Sequence, residues 1–219
     1  MHPDLEAAIE EMYAAFARPA PREVDGCPCC TTEEELRALT ETPLRELGEE
    51  QLGRYASSAL LTVGNVEDLR YFWPRMVELV VRGELWTDIE VVFDKPKRGE
   101  WRSWPRPEQE AIERFARVVM DDLARRELDA FEVDGWVCAF GRLMDDVVPL
   151  LAPLLEPTPA AGANLFSLHL LNARRIRRGK LTNAFWDEES AANEARVAAW
   201  LRSDAVSAAL GRHRAASGS

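Results

Sequence analysis

Apolar side chains recur at helical spacing from one end of the chain to the other, and this pattern limits the fold more than any other feature. The first stripe consists of Leu5, Ile9, Met12, Tyr13 and Phe16. Residues three or four positions apart share one face of an α-helix. The chain is therefore predicted to be all-α, with about nine or ten helices joined by short loops. We expect antiparallel helix pairs in an irregular, repeat-like helical array without a fixed period.

Capping residues indicate where two of these helices begin. Thr31 with Glu34, or Thr32 with Glu35, has the spacing of a capping box, in which two side chains satisfy backbone amides at a helix start. Both alternatives place a short helix directly after the cysteines. Asn65 is predicted to cap a later helix through its side-chain oxygen.

Prolines and glycines suggest further boundaries. Pro43 is predicted to be the first residue of a helix that continues past Gly48. A later helix contains Pro74, which cannot donate a backbone hydrogen bond, so a kink or a break is expected there. Residues 156–162 are predicted to form a loop, and the helix after them is expected to end near Gly179.

Two short segments also have the composition of β-strands. Residues 89–93 are rich in strand formers, and residues 131–137 contain Asp134-Gly135 between alternating apolar residues, a hairpin signal. Helices are preferred in both places, because one isolated hairpin would leave its edges unpaired. We predict a single helical domain over residues 1–213, with a disordered tail over residues 214–219.

The charge of the chain restricts its partners. Acidic residues outnumber basic ones by 38 to 27, which gives a formal net charge of -11. This charge opposes attachment to nucleic acid or to an anionic membrane surface. The N-terminus lacks a secretory signal, and no apolar run is long enough to span a bilayer, so a cytoplasmic protein is expected. We expect a protein partner, no nucleic acid and no membrane, and a homodimer is one form that such a partnership can take.

Three of the four cysteines lie in the segment Cys27-Pro28-Cys29-Cys30, called the cysteine loop below. Cys27 and Cys30 have the spacing with which two thiolates bind one zinc ion, and Cys29 or a distant group would complete the site. The predicted metal ligands are therefore Cys27, Cys29 and Cys30, with zinc as the expected ion. The candidates for a remote ligand are Cys138, His2, His169, His213 and Asp25.

Two other interpretations of the cysteine loop stay open. Cys27 and Cys30 can form a redox pair, in which the helix start at Thr31 stabilises a thiolate at Cys30. The acidic residues 33–35 oppose this ionisation, and the chain has no βαβ pattern around the cysteines. Alternatively, the thiols are small packing residues or form an adventitious disulfide on oxidation. Cys138, which has apolar neighbours in the sequence, is expected in the core.

The cysteine loop is also part of a set of short motifs. These are Gly26-Cys27-Pro28-Cys29-Cys30, Pro43-Leu44-Arg45-Glu46-Leu47, Tyr55-Ala56, Thr62-Val63-Gly64-Asn65-Val66 and Tyr71-Phe72-Trp73-Pro74-Arg75. Together they resemble an uncharacterised family of bacterial all-α proteins, over roughly residues 10–125. The resemblance implies that the cysteine loop belongs with the helical fold, and it implies no activity.

Two hypotheses for function follow. The first is a non-enzymatic helical scaffold or protein-binding protein whose cysteine loop is packed or binds zinc. The second is a thiol-redox or metal–thiolate enzyme centred on Cys27, Cys29 and Cys30. The sequence has no phosphate-binding glycine loop, nucleophile elbow or zinc-protease motif, which favours the first. The basic residues between Arg174 and Lys180 are expected at the C-terminal end of a helix, where positive charge suits the helix dipole.

Overall fold

The computed structural model describes residues 2–217, and the fold over this range is all-α, as the apolar spacing predicts. The α-helices are α1 (Pro3–Ala15), α2 (Glu33–Glu41), α3 (Glu49–Ser58), α4 (Val66–Arg82), α5 (Ile89–Arg98), α6 (Arg106–Leu123), α7 (Ala130–Leu143), α8 (Pro159–Asn172), α9 (Ala191–Trp200) and α10 (Asp204–Ser217). Short 3₁₀ helices cover Leu44–Glu46, Trp101–Ser103, Val148–Leu155 and Ile176–Arg178. Within residues 2–217, β-structure is limited to isolated bridges. No helix in that range has both the length and the apolar character needed to cross a bilayer.

The chain divides into two compact units, one ending at Phe115 and the other beginning at Ala116. The boundary falls inside α6. This division does not test the prediction of a single helical domain over residues 1–213, which stays a prediction. The antiparallel pairing of the helices and their repeat-like stacking also stay predictions.

The first unit is organised around α4, which packs against α1, α3 and α5. Its side chains Phe72 and Trp73 are fully buried, and the Trp73 ring meets Phe93 of α5 edge to face, with ring centroids 5.2 Å apart. Burial of such large aromatic groups supplies much of the energy that holds helices together. Pro74 lies inside α4, which runs through it without a break.

The second unit is organised around α8, which packs against α7, α10 and the 3₁₀ segment Val148–Leu155. The prolines of this segment fit the tighter 3₁₀ form better than an α-helix. Cys138 lies in α7 and is completely buried, which confirms its expected place in the core. Residues 89–93 and 131–137, for which strands were the alternative, lie in α5 and α7.

Two predicted boundaries in the first unit need correction. The helix expected to start at Pro43 is a 3₁₀ turn, and the α-helix that follows begins only at Glu49. Gly48 precedes that helix in extended conformation, and its amide donates to the side chain of Gln51 over 3.0 Å. A capping interaction at Gly48 therefore starts a new helix where the apolar spacing suggested a continuous one.

Three boundaries near the C-terminus also differ. Helix α8 begins at Pro159 inside the predicted loop, because Thr158 caps it by accepting a hydrogen bond from the amide of Ala161. It ends at Asn172, well before Gly179. Helix α10 extends to Ser217, four residues into the tail predicted to be disordered, and residues 218–219 lie outside the described range.

Candidate metal centre

The cysteine loop is attached to a turn between α3 and α4. The amide of Cys27 donates to the carbonyl oxygen of Thr62 over 2.8 Å, and the amide of Gly64 donates to the carbonyl oxygen of Asp25 over 2.7 Å. Gly64 has a φ of +65°, a conformation that a residue without a Cβ adopts readily. A Cβ at this position would also approach the hydroxyl of Tyr55 to 3.2 Å. Two backbone hydrogen bonds and one glycine thus fix the entry to the loop.

The loop then folds back on itself. The carbonyl oxygen of Cys27 accepts hydrogen bonds from the amides of Cys30, over 2.9 Å, and Thr31, over 3.0 Å. Helix α2 begins directly afterwards with a capping box in which Thr32 accepts from the amide of Glu35 and the carboxylate of Glu35 accepts from the amide of Thr32. The structure therefore selects the second of the two capping boxes left open by the sequence.

This tight turn brings three sulfur atoms together. The Sγ atoms of Cys27 and Cys29 are 2.9 Å apart, and those of Cys29 and Cys30 are 3.5 Å apart. All three lie within 4.8 Å of one another, so they can hold one metal ion. Cys27 is half-buried, whereas Cys29 and Cys30 are exposed. The cluster therefore lies at the surface, open to an incoming ion.

The remote ligands suggested by the sequence do not join this cluster. Among residues 2–217 the group contains sulfur atoms alone, with no histidine nitrogen or carboxylate oxygen. The residues that stay outside it are Cys138, His2, His169, His213 and Asp25. A metal ion bound here would have three ligands from the described part of the chain, and any further ligand would come from solvent or a partner.

The three thiols influence each other's ionisation. Hydrogen bonds from Cys29, and more weakly from Cys30, hold the pKa of Cys27 below its usual value. The same hydrogen bonds, together with the negative charge of neighbouring thiolates, raise the pKa of Cys29 to about 11. Like charges so close together cannot all form at neutral pH without a cation. Cys27 therefore loses its proton before Cys29 does.

Arg54 contacts the cysteine loop from another helix, which the sequence did not predict. Its Nη1 atom donates to the carbonyl oxygen of Cys30 over 2.9 Å, and its Nε atom lies 3.2 Å from the carboxylate of Glu35. The side chain reaches the loop from α3, so no local spacing in the sequence signals the contact. Its guanidinium places a positive charge beside a cluster that becomes negative on ionisation.

Comparison with protein-family models, curated proteins and solved structures found no match to this chain. The resemblance to a bacterial family therefore stays a prediction, and the functional argument depends on the site itself.

A cavity of about 370 Å³ lies beside the loop, between α2 and α3. Leu39 and Val63 form apolar parts of its wall, and the acidic residues Glu34 and Glu50 line it together with Arg54. The cysteines are not among the lining residues, so the cavity and the sulfur cluster are neighbouring but separate features.

Two further predicted sites lie in the second unit. The basic run was predicted at the C-terminal end of a helix. It begins instead at Arg174, two residues beyond the end of α8, and continues around the 3₁₀ turn Ile176–Arg178. Four exposed arginines lie in this run, and Lys180 is paired with Glu194 over 2.7 Å. His169 lies in α8, where burial, with a smaller effect of Arg214, lowers its pKa.

Proposed function

We propose that the cysteine loop binds one zinc ion through Cys27, Cys29 and Cys30, on a non-enzymatic helical protein that binds another protein. The observation that carries the metal site is the grouping of three sulfur atoms within 4.8 Å. Zinc–thiolate bonds of about 2.3 Å in a tetrahedron separate the sulfur atoms by about 3.8 Å. The sulfur separations of 2.9 and 3.5 Å are shorter than this, so the sulfur atoms would move apart when zinc binds.

A zinc ion bound by these three residues has an open fourth position. Because Cys29 and Cys30 are exposed, a water molecule or a group from a protein partner can occupy it. A thiolate site of this kind suits either stabilisation of the loop or attachment of a partner. The ion would also offset the charge that three neighbouring thiolates create.

Exposed apolar side chains support the protein-binding part of the proposal. In the first unit, Trp86 is 90% exposed and Leu61 is 58% exposed; Leu61 belongs to the turn that pairs with the cysteine loop. In the second unit, Phe131 is 76% exposed and Leu170 is 63% exposed. Aromatic side chains such as Trp86 and Phe131 are enriched at protein interfaces. A second copy of the chain and a different protein are both consistent with these surfaces.

The test is elemental metal analysis combined with a count of reactive thiols on freshly purified, untagged protein. We expect about one equivalent of zinc, protected thiols at the loop, and loss of the ion in a variant with Cys27, Cys29 and Cys30 all changed to serine. The matched control is Cys138→Ala, which removes the buried cysteine and should keep the zinc. Wild-type protein that takes up no zinc, with its loop thiols freely reactive, would overturn the metal site.

The thiol-redox alternative has one specific observation in its favour. Cys27 has a lowered pKa and lies 2.9 Å from the sulfur of Cys29, an arrangement in which an attacking thiolate has a second thiol at hand. With glutathione disulfide as the oxidant, the Cys27 thiolate would form a mixed disulfide and release glutathione, and a neighbouring thiol would then displace the second glutathione. The test is thiol–disulfide exchange with glutathione disulfide. If this exchange persists in the variant with all three loop cysteines changed to serine, the redox alternative is ruled out.

A further inference from the structure

Acidic residues flank the cysteine loop in the sequence. Asp25 precedes the loop, and the acidic residues 33–35 follow it. Arg54 contacts the loop, but its guanidinium is shared with Glu35. A divalent ion with three thiolates leaves one net negative charge at the site. An ion that neutralises all three sulfur atoms would suit these surroundings better.

The spacing of the sulfur atoms also fits a flatter bond angle than the tetrahedral one. With metal–sulfur bonds of about 2.3 Å, a three-sided pyramid with angles near 90° separates the sulfur atoms by about 3.3 Å, against about 3.8 Å in a tetrahedron. The separation of Cys27 and Cys29 is 2.9 Å, and that of Cys29 and Cys30 is 3.5 Å. A pyramidal ion needs three ligands from one side, and that is the number the described chain provides.

We propose that the cysteine loop binds trivalent arsenic, taken up as neutral arsenous acid, with one sulfur each from Cys27, Cys29 and Cys30. This inference rests on the proposed function to the extent that both use the same three residues as ligands. Arsenic carries a lone pair at its fourth position, so the complex needs no remote histidine or carboxylate. The product is uncharged, so the three sulfur ligands leave no net charge on the loop.

The uptake reaction is a condensation. Each S–H group replaces one hydroxyl of arsenous acid: three As–O bonds break, three As–S bonds form, and each thiol proton leaves with a hydroxyl as water. Three water molecules are released in all. Arsenic stays trivalent and sulfur keeps its oxidation state, so no oxidant or reductant is required. Because neutral thiols react with a neutral acid, there is no net release of protons.

This balance predicts opposite pH responses for the two ions. Zinc displaces at least one thiol proton, so its affinity should fall at least about a hundredfold from pH 7.5 to pH 5.5. The affinity for arsenous acid should change less than about threefold, since no proton is released. Both affinities are measured by titration of reduced, metal-free protein, with sodium arsenite or zinc chloride as the probe.

Cys29→Ser gives a matched test of the third thiol. The variant keeps Cys27 and Cys30, which suffice for phenylarsine oxide, an arsenical that bonds to two thiols. The variant should therefore still bind phenylarsine oxide. Its affinity for arsenite should fall at least about tenfold, which corresponds to about 1.4 kcal/mol of binding free energy. Cys138→Ala should bind both probes as wild type does.

The outcomes separate the two proposals. Zinc bound at the loop without arsenite binding overturns the arsenic site and leaves the proposed zinc site standing. Arsenite bound at the loop without zinc supports the arsenic site and removes zinc from the proposed function. If neither ion binds, both proposals fail. Arsenite affinity that survives in Cys29→Ser would also overturn the three-sulfur arrangement, since two thiols would then suffice.

Discussion

Arg54 donates a hydrogen bond from Nη1 to the carbonyl oxygen of Cys30 over 2.9 Å, which joins helix α3 to the cysteine loop. Its Nε atom also lies 3.2 Å from Glu35, a member of the capping box of α2. One side chain thus links the end of the loop with the start of the next helix. Because the contact holds the end of the loop, it should influence how readily the three sulfur atoms converge.

Replacement of Arg54 by methionine should weaken zinc binding about fivefold, because one hydrogen bond to the loop is worth about 1 kcal/mol and its positive charge is lost as well. Competition with a chromophoric chelator measures the effect. The control is Arg37→Met, which removes an exposed arginine on α2. Equal affinities in the two variants would show that Arg54 does not position the loop.

Thr31 and Thr32 make a second matched pair. The hydroxyl of Thr32 accepts a hydrogen bond from the amide of Glu35, whereas the buried hydroxyl of Thr31 has no hydrogen-bond partner. Thr32→Val should therefore lower the free energy of unfolding by about 1 kcal/mol, the usual cost of a lost N-cap. Thr31→Val should leave stability unchanged or raise it, since it removes an unsatisfied buried group of the same shape.

Urea denaturation followed by tryptophan fluorescence provides both values. A larger loss in Thr31→Val than in Thr32→Val would contradict the capping arrangement described for α2.

The order of thiol reactivity is a third consequence of the loop geometry. In reduced, metal-free protein near pH 7.5, iodoacetamide should modify Cys27 before Cys29, because the thiolate is the nucleophile and the pKa of Cys27 is lowered. Cys27→Ala should lower the pKa of Cys29 from about 11, since the hydrogen bond with Cys27 is the main cause of its elevation. The rate at Cys29 near pH 9 should then rise about tenfold.

Peptide mapping by mass spectrometry measures each rate separately, and completely buried Cys138 should stay unlabelled in the folded protein. Modification of Cys29 ahead of Cys27 in the wild type would refute this order.

The features that the sequence predicted correctly are mostly local. Asn65 caps α4 by accepting hydrogen bonds from two amides of the first turn, and the capping box at Thr32 uses residues three positions apart. The three loop cysteines meet because a tight turn suffices for residues so close in the chain. In such cases the interacting partners lie within one short window, so spacing alone indicates the contact.

Contacts between distant segments had no such signal. The hydrogen bond from Cys27 to Thr62 and the approach of Arg54 both depend on how α2 and α3 pack. In the second unit, the buried side chain of Asn164 donates to the carbonyl oxygens of Leu123 and Arg126, at the end of α6. These partners are set by tertiary packing, which a single sequence does not reveal.

Lys95 of α5 is another residue whose role only packing reveals. It is 1% exposed, and its ammonium donates to the carbonyl oxygen of Ser57 over 2.7 Å. Burial lowers the pKa of Lys95 to about 8; the neighbouring Asp94 raises it, and Arg98 lowers it further by a smaller amount. At neutral pH the folded protein therefore carries a buried charge that its surroundings do not fully offset.

This arrangement predicts that stability increases with pH in a defined window. Below about pH 8 Lys95 is protonated in the folded and in the unfolded protein, so the buried charge lowers the free energy of unfolding by its full amount. As the pH rises towards the ordinary lysine value of 10.5, the folded state releases its proton first, so the free energy of unfolding rises. Measurements should stop near pH 9.5, since ionisation of tyrosines begins to contribute at about pH 10.

Lys95→Met should raise the free energy of unfolding near pH 7 by about 1–2 kcal/mol, because relief of the buried charge exceeds the loss of one hydrogen bond. The advantage of the variant over wild type should shrink between pH 7 and pH 9.5, as the wild-type lysine becomes neutral in the folded state. Urea denaturation at several pH values measures the difference directly, and effects common to both proteins cancel in it. A difference that is constant across this range would show that Lys95 keeps an ordinary pKa in the folded protein.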